Sequence, residues 1–363
     1  MQSRMRCKYT LSVAIALLVV SISGAAQSDQ TDDFIRAEME RQNIPGLSLV
    51  VLKNGEIIKA RGYGFARIEE QVPATPSTVY KIASVSKQFI AAGIMHLVQD
   101  GQIRLDDSIR EYLEDAPESW NGITIRHLLT HTSGLVRNPS GFDPFESRPD
   151  AEIIAATYGE PLRFVPGEKS EYSNLGYYVL AETITRVCGR PWSEYLRETI
   201  FDPLGMDATL PTNTTMALPE RAQGYVDNDE LRKAPEWRAL RPSGAFLSTV
   251  LDLAKWDSAL YTDRILTDTT RRQMWTPAIL ADGSTAGYGF GWILTNFEGR
   301  KLVYHTGGMP GARAALARLI DEGLTIIVLM NLDDVDISAI MFGLARLYPH
   351  GWQPQGPAKV SIQ

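Results

Sequence analysis

Hydrophobic and polar residues alternate along two short runs near the N-terminus. The runs cover residues 47–53 and 56–62, and Asn54-Gly55 joins them. Asn-Gly between alternating hydrophobic runs is the strongest short signal for a β-hairpin. We therefore predict two antiparallel strands, preceded by a short helix over residues 32–42.

Further along the chain the apolar residues take helical spacing. Between Ser84 and Asp100 they recur at intervals of three and four residues, which predicts one long amphipathic helix. From about residue 106 to residue 242 the pattern shows no convincing strand pair. It predicts short helices separated by loops rich in Pro, Gly and Asn, over residues 124–130, 149–157, 174–188 and 192–200.

Strand-like runs return after residue 243. Two helices come first, over residues 248–260 and 268–275, with Ser248 and Asp268 as plausible N-caps. Four strands and a last helix follow, over residues 288–297, 301–305, 313–319, 324–331 and 335–348. The predicted fold class is α/β of the α+β type: one antiparallel sheet flanked by helices, with an inserted all-helical lobe.

This organisation predicts a single catalytic domain over residues 27–363. Its sheet lobe would combine residues 27–110 with 243–350, and residues 111–242 would form the helical lobe. An active cleft is expected where the two lobes meet, since ligand pockets favour such junctions.

The first 26 residues have the pattern of a secretory signal peptide. Arg4, Arg6 and Lys8 give a positive start, Leu11–Ile22 is apolar, and 24–26 are the small residues of a cleavage site. The alternative is a membrane anchor, but the apolar run is shorter than the ~20 residues that span a bilayer. We expect cleavage, a periplasmic or secreted protein, and no stable membrane insertion afterwards.

Composition narrows the class of protein. The 363 residues are 44% hydrophobic and 22% charged, which is ordinary for a globular protein. Lys and Arg number 36 against 43 Asp and Glu, a net charge of −7 with no basic cluster, which argues against nucleic acid as a partner. After cleavage Cys188 is the one cysteine, and we expect it to act as a small hydrophobe on a helix rather than to form a disulfide.

Ser84-Val85-Ser86-Lys87 is the first motif that carries chemistry. Residues three apart share one helix face, so the Ser84 hydroxyl and the Lys87 amine can meet. Serine is a weak nucleophile until a base takes its proton, and burial can turn lysine into that base. Ser86 faces elsewhere. Taken alone, the motif also fits a capped amphipathic helix.

Two further motifs lie downstream. Tyr172 could carry a proton to a leaving group, and Asn174 could bond both the lysine and a substrate amide, although the triplet 172–174 also fits a helix cap. His305-Thr306-Gly307-Gly308 ends a predicted strand, where glycines permit close approach of a substrate. The Gly308 N–H could pair with that of Ser84 as an oxyanion hole.

The order of these motifs resembles the serine β-lactamase and penicillin-binding protein superfamily, in its class C-like branch. The flanking stretches 125–135, 200–206 and 243–249 are similar too, so the resemblance covers residues 32–348. It implies the β-lactamase/transpeptidase-like fold and an acyl-enzyme at Ser84. Lys87 would be the base, Tyr172 the general acid and base, and the remaining residues would bind substrate: Asn174, His305, Thr306 and Gly308.

One residue departs from the β-lactamase pattern. His305 stands where β-lactamases of the family have Lys, whereas D-aminopeptidase-like enzymes and esterases of the branch have His. Histidine is mostly neutral at neutral pH, so a substrate carboxylate should be held less firmly. We expect a serine hydrolase acting on amides or esters, with β-lactams possible.

Two alternatives stay open: a true class C-like β-lactamase, and a non-catalytic protein that binds penicillin or peptidoglycan peptides. The expected partners are small-molecule or peptide substrates, and no cofactor or metal is expected. His127 and His131 are spaced as a metal pair, but no third ligand is apparent and we interpret them as structural.

Overall fold

The computed structural model describes residues 29–139, 143, 145–146, 148–227, 230–236 and 239–352. The predicted signal peptide lies outside these residues. None of the helices within these ranges is long and apolar enough to cross a membrane.

Among the described residues, twelve strands form three sheets. The largest has seven strands in the order β3-β2-β1-β12-β11-β10-β9, and its neighbouring strands are antiparallel. The prediction that the N-terminal and C-terminal strands share one antiparallel sheet is therefore confirmed. The strands are β1 Gly46–Lys53, β2 Glu56–Arg67, β3 Val72–Pro73, β4 Tyr80–Lys81, β5 Leu210–Pro211, β6 Tyr225–Asp227, β7 Leu231–Lys233, β8 Phe246–Ser248, β9 Ile293–Phe297, β10 Arg300–Met309, β11 Ala312–Leu319 and β12 Leu324–Met330.

The interior strand β1 is buried on both faces. Leu47 and Leu49 pack with one apolar cluster and Val50 and Leu52 with another, because successive side chains of a strand point to opposite faces. The Asn-Gly hairpin forms as predicted, and Asn54 and Gly55 both have positive φ, 51° and 80°.

Helices cover both faces of the sheet. Helices α1 and α10 pack together on one face, and α8 packs against β1 and β12 on the other. The helices are α1 Gln30–Arg41, α2 Lys87–Gln99, α3 Ile125–Leu129, α4 Asp150–Ala155, α5 Asn174–Cys188, α6 Trp192–Leu196, α7 Asp202–Leu204, α8 Val250–Ala259, α9 Asp268–Met274 and α10 Ile337–Leu347.

The region between the two sets of strands is mostly helical, but one prediction about it is wrong. Strands β6 and β7 pair within the stretch where no strand pair was expected, and β5 pairs with β8. Each of these strands has only two or three residues, which is too short to show an alternating pattern.

Three local boundaries also differ from the prediction. The N-cap of α8 is Thr249, one residue after the expected Ser248, and that of α9 is Thr267, one residue before the expected Asp268; each threonine accepts a backbone N–H. Strand β9 begins at residue 293 rather than 288. Gly291, with φ of +80°, turns the chain there, and it lies so close to the Lys87 carbonyl that a Cβ atom would be 2.9 Å away.

Candidate active site

A cleft of about 380 Å³ opens where the helical region meets the end of β10. Its lining contains most residues that the motifs singled out: Ser84, Tyr172, Asn174, His305, Thr306 and Gly308. The structure thus brings together three motifs that are spread over more than 200 residues of sequence. A groove of about 510 Å³ beside α8 contains none of them.

Ser84 lies in a 3-10 turn, Ala83–Ser86, that leads directly into α2. In 3-10 geometry residues i and i+3 eclipse each other, so Lys87 projects onto the same side as Ser84. Their Oγ and Nζ atoms are 3.2 Å apart. Ala83 adopts φ of 45°, a conformation that is costly for a residue with a Cβ atom and typical of constrained functional turns.

Ser86 has a structural role in the same turn. It is fully buried, and its Oγ accepts the backbone N–H of Phe246 at 3.2 Å. The prediction that Ser86 faces away from Lys87 agrees with this geometry.

Lys87 is completely buried and contacts two residues of the cleft lining, Ser84 and Asn174, from behind; we call its position the floor of the cleft. Besides Ser84, its Nζ lies 3.0 Å from Asn174 Oδ1 and 2.7 Å from the Ser243 carbonyl oxygen. Burial, with a smaller effect from the nearby charge of Arg137, lowers the Lys87 pKa well below its ordinary value. The amine is therefore driven toward its neutral form.

The partners of a neutral Lys87 fix where its lone pair points. An amide oxygen and a backbone carbonyl can only accept, so Asn174 and Ser243 take the two N–H bonds of the amine. The lone pair is then left for Ser84, whose hydroxyl can donate to it. This is the arrangement that a general base requires.

Tyr172 lies next to both Ser84 and Lys87. Its side chain hydrogen-bonds to that of Ser84, and its ring centroid is 4.9 Å from Lys87 Nζ. Burial raises the pKa of Tyr172 to about 12, although the bond to Ser84 and the charge of Arg137 act in the opposite direction. The phenol is therefore protonated near neutral pH and can donate a proton.

Asn174 is the first residue of α5, which is capped by the Ser173 side chain. The contact with Lys87 that the sequence predicted is present. The amide nitrogen of Asn174 donates to Asn138 Oδ1 at 2.8 Å, which fixes the orientation of the carboxamide. His131 supports the same motif, because its Nδ1 accepts the Ser173 N–H at 3.2 Å.

His127 has a different role from His131. Its Nδ1 accepts the backbone N–H of Thr124 at 3.2 Å and so caps α3. The two histidines thus have separate backbone partners, as expected of structural residues.

His305 lines the cleft but is only 2% exposed. Its Nδ1 lies 2.6 Å from the Thr306 carbonyl oxygen, which can only accept, so Nδ1 carries the proton. Its Nε2 then accepts from the Tyr288 hydroxyl at 2.8 Å. Both ring nitrogens of His305 thus have partners within the protein.

The charge state of His305 follows from the same surroundings. Burial, with a smaller effect from Lys87, lowers its pKa to about 3. The imidazole is therefore neutral throughout the physiological range, further from a lysine-like charge than the sequence suggested.

Beyond Tyr304, β10 has one open edge. Strand β9 pairs with β10 only over Arg300–Tyr304, whereas β11 follows β10 to Met309. The open edge carries Thr306 and Gly308 along the cleft, where an extended substrate could add as a further strand.

Several residues of the site were not singled out from the sequence. Tyr288 holds His305, and Arg137 and Arg313 line the cleft. No spacing rule marks them, because each joins the site through tertiary packing from a segment outside the three motifs.

Comparison with known proteins identifies relatives of this chain. The chain is 32% identical over 310 residues to a penicillin-binding protein of Bacillus subtilis (strain 168), covering 79% of this chain and 68% of that protein. It spans 56–63% of the length of other curated relatives that it matches.

Solved structures give the same answer for the fold. The octameric penicillin-binding protein homologue from Pyrococcus abyssi superposes with a TM-score of 0.79 at 30% identity, covering 87% of this chain and 76% of that one. The D-amino acid amidase from Ochrobactrum anthropi SV3, complexed with L-phenylalanine amide, superposes at 0.74 and 28% identity, covering 88% and 96%.

The family assignment rests on nearly the whole described chain. Residues 31–344 match the Beta-lactamase family, a span that contains every motif residue. The superfamily resemblance and the predicted fold are thereby confirmed, and the relatives support the prediction of a serine hydrolase. The chain belongs to the Beta-lactamase family.

Proposed function

We propose that this chain is an exported serine hydrolase that cleaves amide or ester bonds through an acyl-enzyme on Ser84. The observation that carries the proposal is the environment of Lys87. Two pure acceptors occupy its N–H bonds and burial lowers its pKa, so its lone pair faces the Ser84 hydroxyl.

Acylation begins when Lys87 takes the Ser84 proton. The freed oxygen attacks the substrate carbonyl, and a tetrahedral intermediate with a negatively charged oxygen forms. The backbone N–H groups of Ser84 and Gly308 would stabilise that oxygen. Close packing of β10 on the catalytic turn supports this pairing: a Cβ atom on Gly307 would lie 2.2 Å from the Ile82 carbonyl oxygen.

The leaving group needs a proton when the bond to the carbonyl carbon breaks. Tyr172 is a protonated phenol hydrogen-bonded to the Ser84 side chain, so it can give its proton to the departing nitrogen or oxygen. The proton held by Lys87 then replaces it. A water molecule then attacks the carbonyl carbon of the acyl-enzyme, and its proton passes through the same groups to the Ser84 oxygen. The carboxylic acid leaves and Ser84 is restored.

The substrate class follows from the relatives and from the cleft. Penicillin-binding proteins and a D-amino acid amidase are among the relatives, which favours D-amino acid peptides, amides or esters. The alternative of a true class C-like β-lactamase is less favoured, because a neutral and fully engaged His305 stands in place of a charged lysine.

Covalent labelling tests the proposal. The purified chain is treated with a fluorescent penicillin and with a fluorophosphonate, and turnover of a chromogenic ester is followed in parallel. We expect an adduct on Ser84 by peptide mapping together with ester turnover. An adduct on Ser86, or no adduct with either reagent, would contradict the mechanism.

Stable labelling of Ser84 without turnover of any amide, ester or β-lactam would instead support the non-catalytic binding protein. The proposal of export has its own test, in which the N-terminus of the protein recovered outside the cytoplasm is sequenced. We expect it to begin close to residue 27.

A further inference from the structure

Two guanidinium groups line the cleft without an acidic partner. Within the part of the chain that the structure describes, neither Arg137 nor Arg313 forms an ion pair, and none of the residues lining the cleft is acidic. The more deeply buried arginines of the sheet differ: Arg318 pairs with Asp257, and Arg300 pairs with Glu322.

Arg313 is the more enclosed of the two. It is half-buried, whereas Arg137 is exposed. Its one hydrogen bond among the described residues runs from Nη1 to the carbonyl oxygen of Ala312, at 3.2 Å. The guanidinium has five N–H donors, so most of its donor capacity is left for a ligand.

The position of Arg313 is set by β-sheet register. It lies opposite Gly308 across the β10–β11 pair. A Cβ atom at Gly308 would lie 2.9 Å from Nη1 of Arg313, so the guanidinium occupies the space that a side chain at 308 would fill. The absence of that side chain brings the cation to the open edge of β10, beside the oxyanion position proposed for Gly308.

The surroundings leave this charge poorly compensated. Burial lowers the pKa of Arg313, and only the more distant charges of Asp333 and Asp334 oppose that effect. Arginine nevertheless stays protonated in proteins. A partly desolvated cation without a counter-ion is costly, and a ligand carboxylate would relieve the cost through a bidentate pair.

We propose that Arg313 is the carboxylate-binding residue of this cleft, and that the substrates of the Ser84 site are amides or esters bearing a free carboxylate. This inference rests on the proposed function. It gives Arg313 the role that the sequence had suggested for His305. A substrate with a free ammonium group instead would meet two guanidinium groups in this cleft and no acidic lining residue.

Matched thioester peptides test the inference. One pair ends in a carboxylate or a carboxamide on the leaving group, and a second pair carries the same exchange on the acyl group. Hydrolysis is monitored through the release of thiol or of acid. The measured quantity is the kcat/KM of the carboxylate substrate divided by that of the carboxamide substrate. In the wild-type protein we expect a ratio of about tenfold or more in at least one pair.

Arg313→Gln should bring that ratio close to one, mainly through a higher KM for the carboxylate substrate. Arg346→Gln is the matched control, because this exposed arginine pairs with Glu298 away from the cleft, and it should leave the ratio unchanged. A wild-type ratio near one in both pairs would overturn the inference. So would a ratio that falls in Arg137→Gln but not in Arg313→Gln.

Two further arms separate the possible failures. If Arg313→Gln does not fold, Arg313→Lys is measured instead: its single ammonium cannot form the bidentate pair, so a reduced ratio is expected and an unchanged one contradicts the inference. If Ser84→Ala still cleaves the carboxamide thioester, the proposed function fails, whereas the ratio judges Arg313 alone.

Discussion

The floor and the strand wall of the cleft each hold a basic side chain without an acidic partner among the described residues, and the two behave differently. Lys87 on the floor is completely buried, and burial drives it toward the neutral amine. Arg313 on the wall is also desolvated, but a guanidinium keeps its proton. Desolvation therefore yields a base from the fully buried lysine and an anion-binding group from the half-buried arginine.

The comparison teaches that residue type and burial act together to assign roles in this site. The lysine has two neutral acceptors that hold its N–H bonds, so losing the proton leaves a directed lone pair. The arginine has one backbone acceptor and several free donors. Catalysis is thus expected on the floor and substrate recognition on the wall.

Removing the Ser84 hydroxyl, the group that Lys87 would deprotonate, should have the largest effect on activity. Ser84→Ala is expected to lower kcat/KM by about four orders of magnitude or more, because no second nucleophile faces Lys87. The measurement is turnover of a chromogenic ester, with circular dichroism to confirm the fold.

Ser86→Ala is the matched control for that experiment. It should retain turnover but lose about 1–3 kcal/mol in the free energy of unfolding, because the buried Phe246 N–H loses its acceptor. Turnover that survives in Ser84→Ala and disappears in Ser86→Ala would reverse the assignment of the two serines.

Lys87→Arg replaces the amine at the floor of the cleft with a guanidinium, the group that Arg313 carries on the wall. A guanidinium cannot serve as the base, so kcat should fall by about 10³–10⁴-fold even though a positive charge is kept. Lys87→Ala should be similarly damaging. An arginine variant within tenfold of the wild type would show that the charge of residue 87 matters rather than its lone pair.

Tyr172→Phe should be severe but less so, with a loss of about 10²-fold, because water can partly replace the phenol as proton donor. The loss should be larger for amides than for esters with good leaving groups, since only the former need a strong proton donor. Equal losses on both substrates would argue that Tyr172 does not protonate the leaving group.

The smallest effect concerns the shape of the pH profile. His305 is neutral above about pH 3, so no protonation step of this residue should be visible near its ordinary value of 6.5. The acidic limb of kcat/KM belongs to Lys87, which must lose its proton, so activity should rise with pH through the lowered Lys87 pKa. A limb near 6.5 that disappears in His305→Gln would contradict this account.

Much of the fold could be predicted from the sequence. The Asn54-Gly55 hairpin and α5 were expected because turn chemistry and apolar periodicity are local signals. The two-residue and three-residue strands β5 to β8 were not, since such short segments pair only through tertiary packing. Gly291 interrupts the expected strand because it must fit against the Lys87 backbone.

The contacts in the candidate site also divide into those that the sequence predicts and those that it does not. Ser84 and Lys87 lie three residues apart, so their contact follows from local geometry. The partners of His305 could not be read from the sequence, because the contact with Tyr288 depends on how the segment before β9 packs against β10. Arg313 escaped notice for a similar reason: its role depends on strand register and on the missing side chain of Gly308.

The protonation state of Lys87 is the most direct test of the central claim. In protein labelled with ¹³C at the lysine Cε positions, the resonance that is lost in Lys87→Arg is assigned to Lys87 and followed with pH. Lys81, whose pKa burial lowers to about 8, is assigned in the same way and serves as an internal comparison. We predict a Lys87 midpoint well below the ordinary value of 10.5. A midpoint near 10.5 would mean that the resting lysine is charged, and would contradict its role as the base for Ser84.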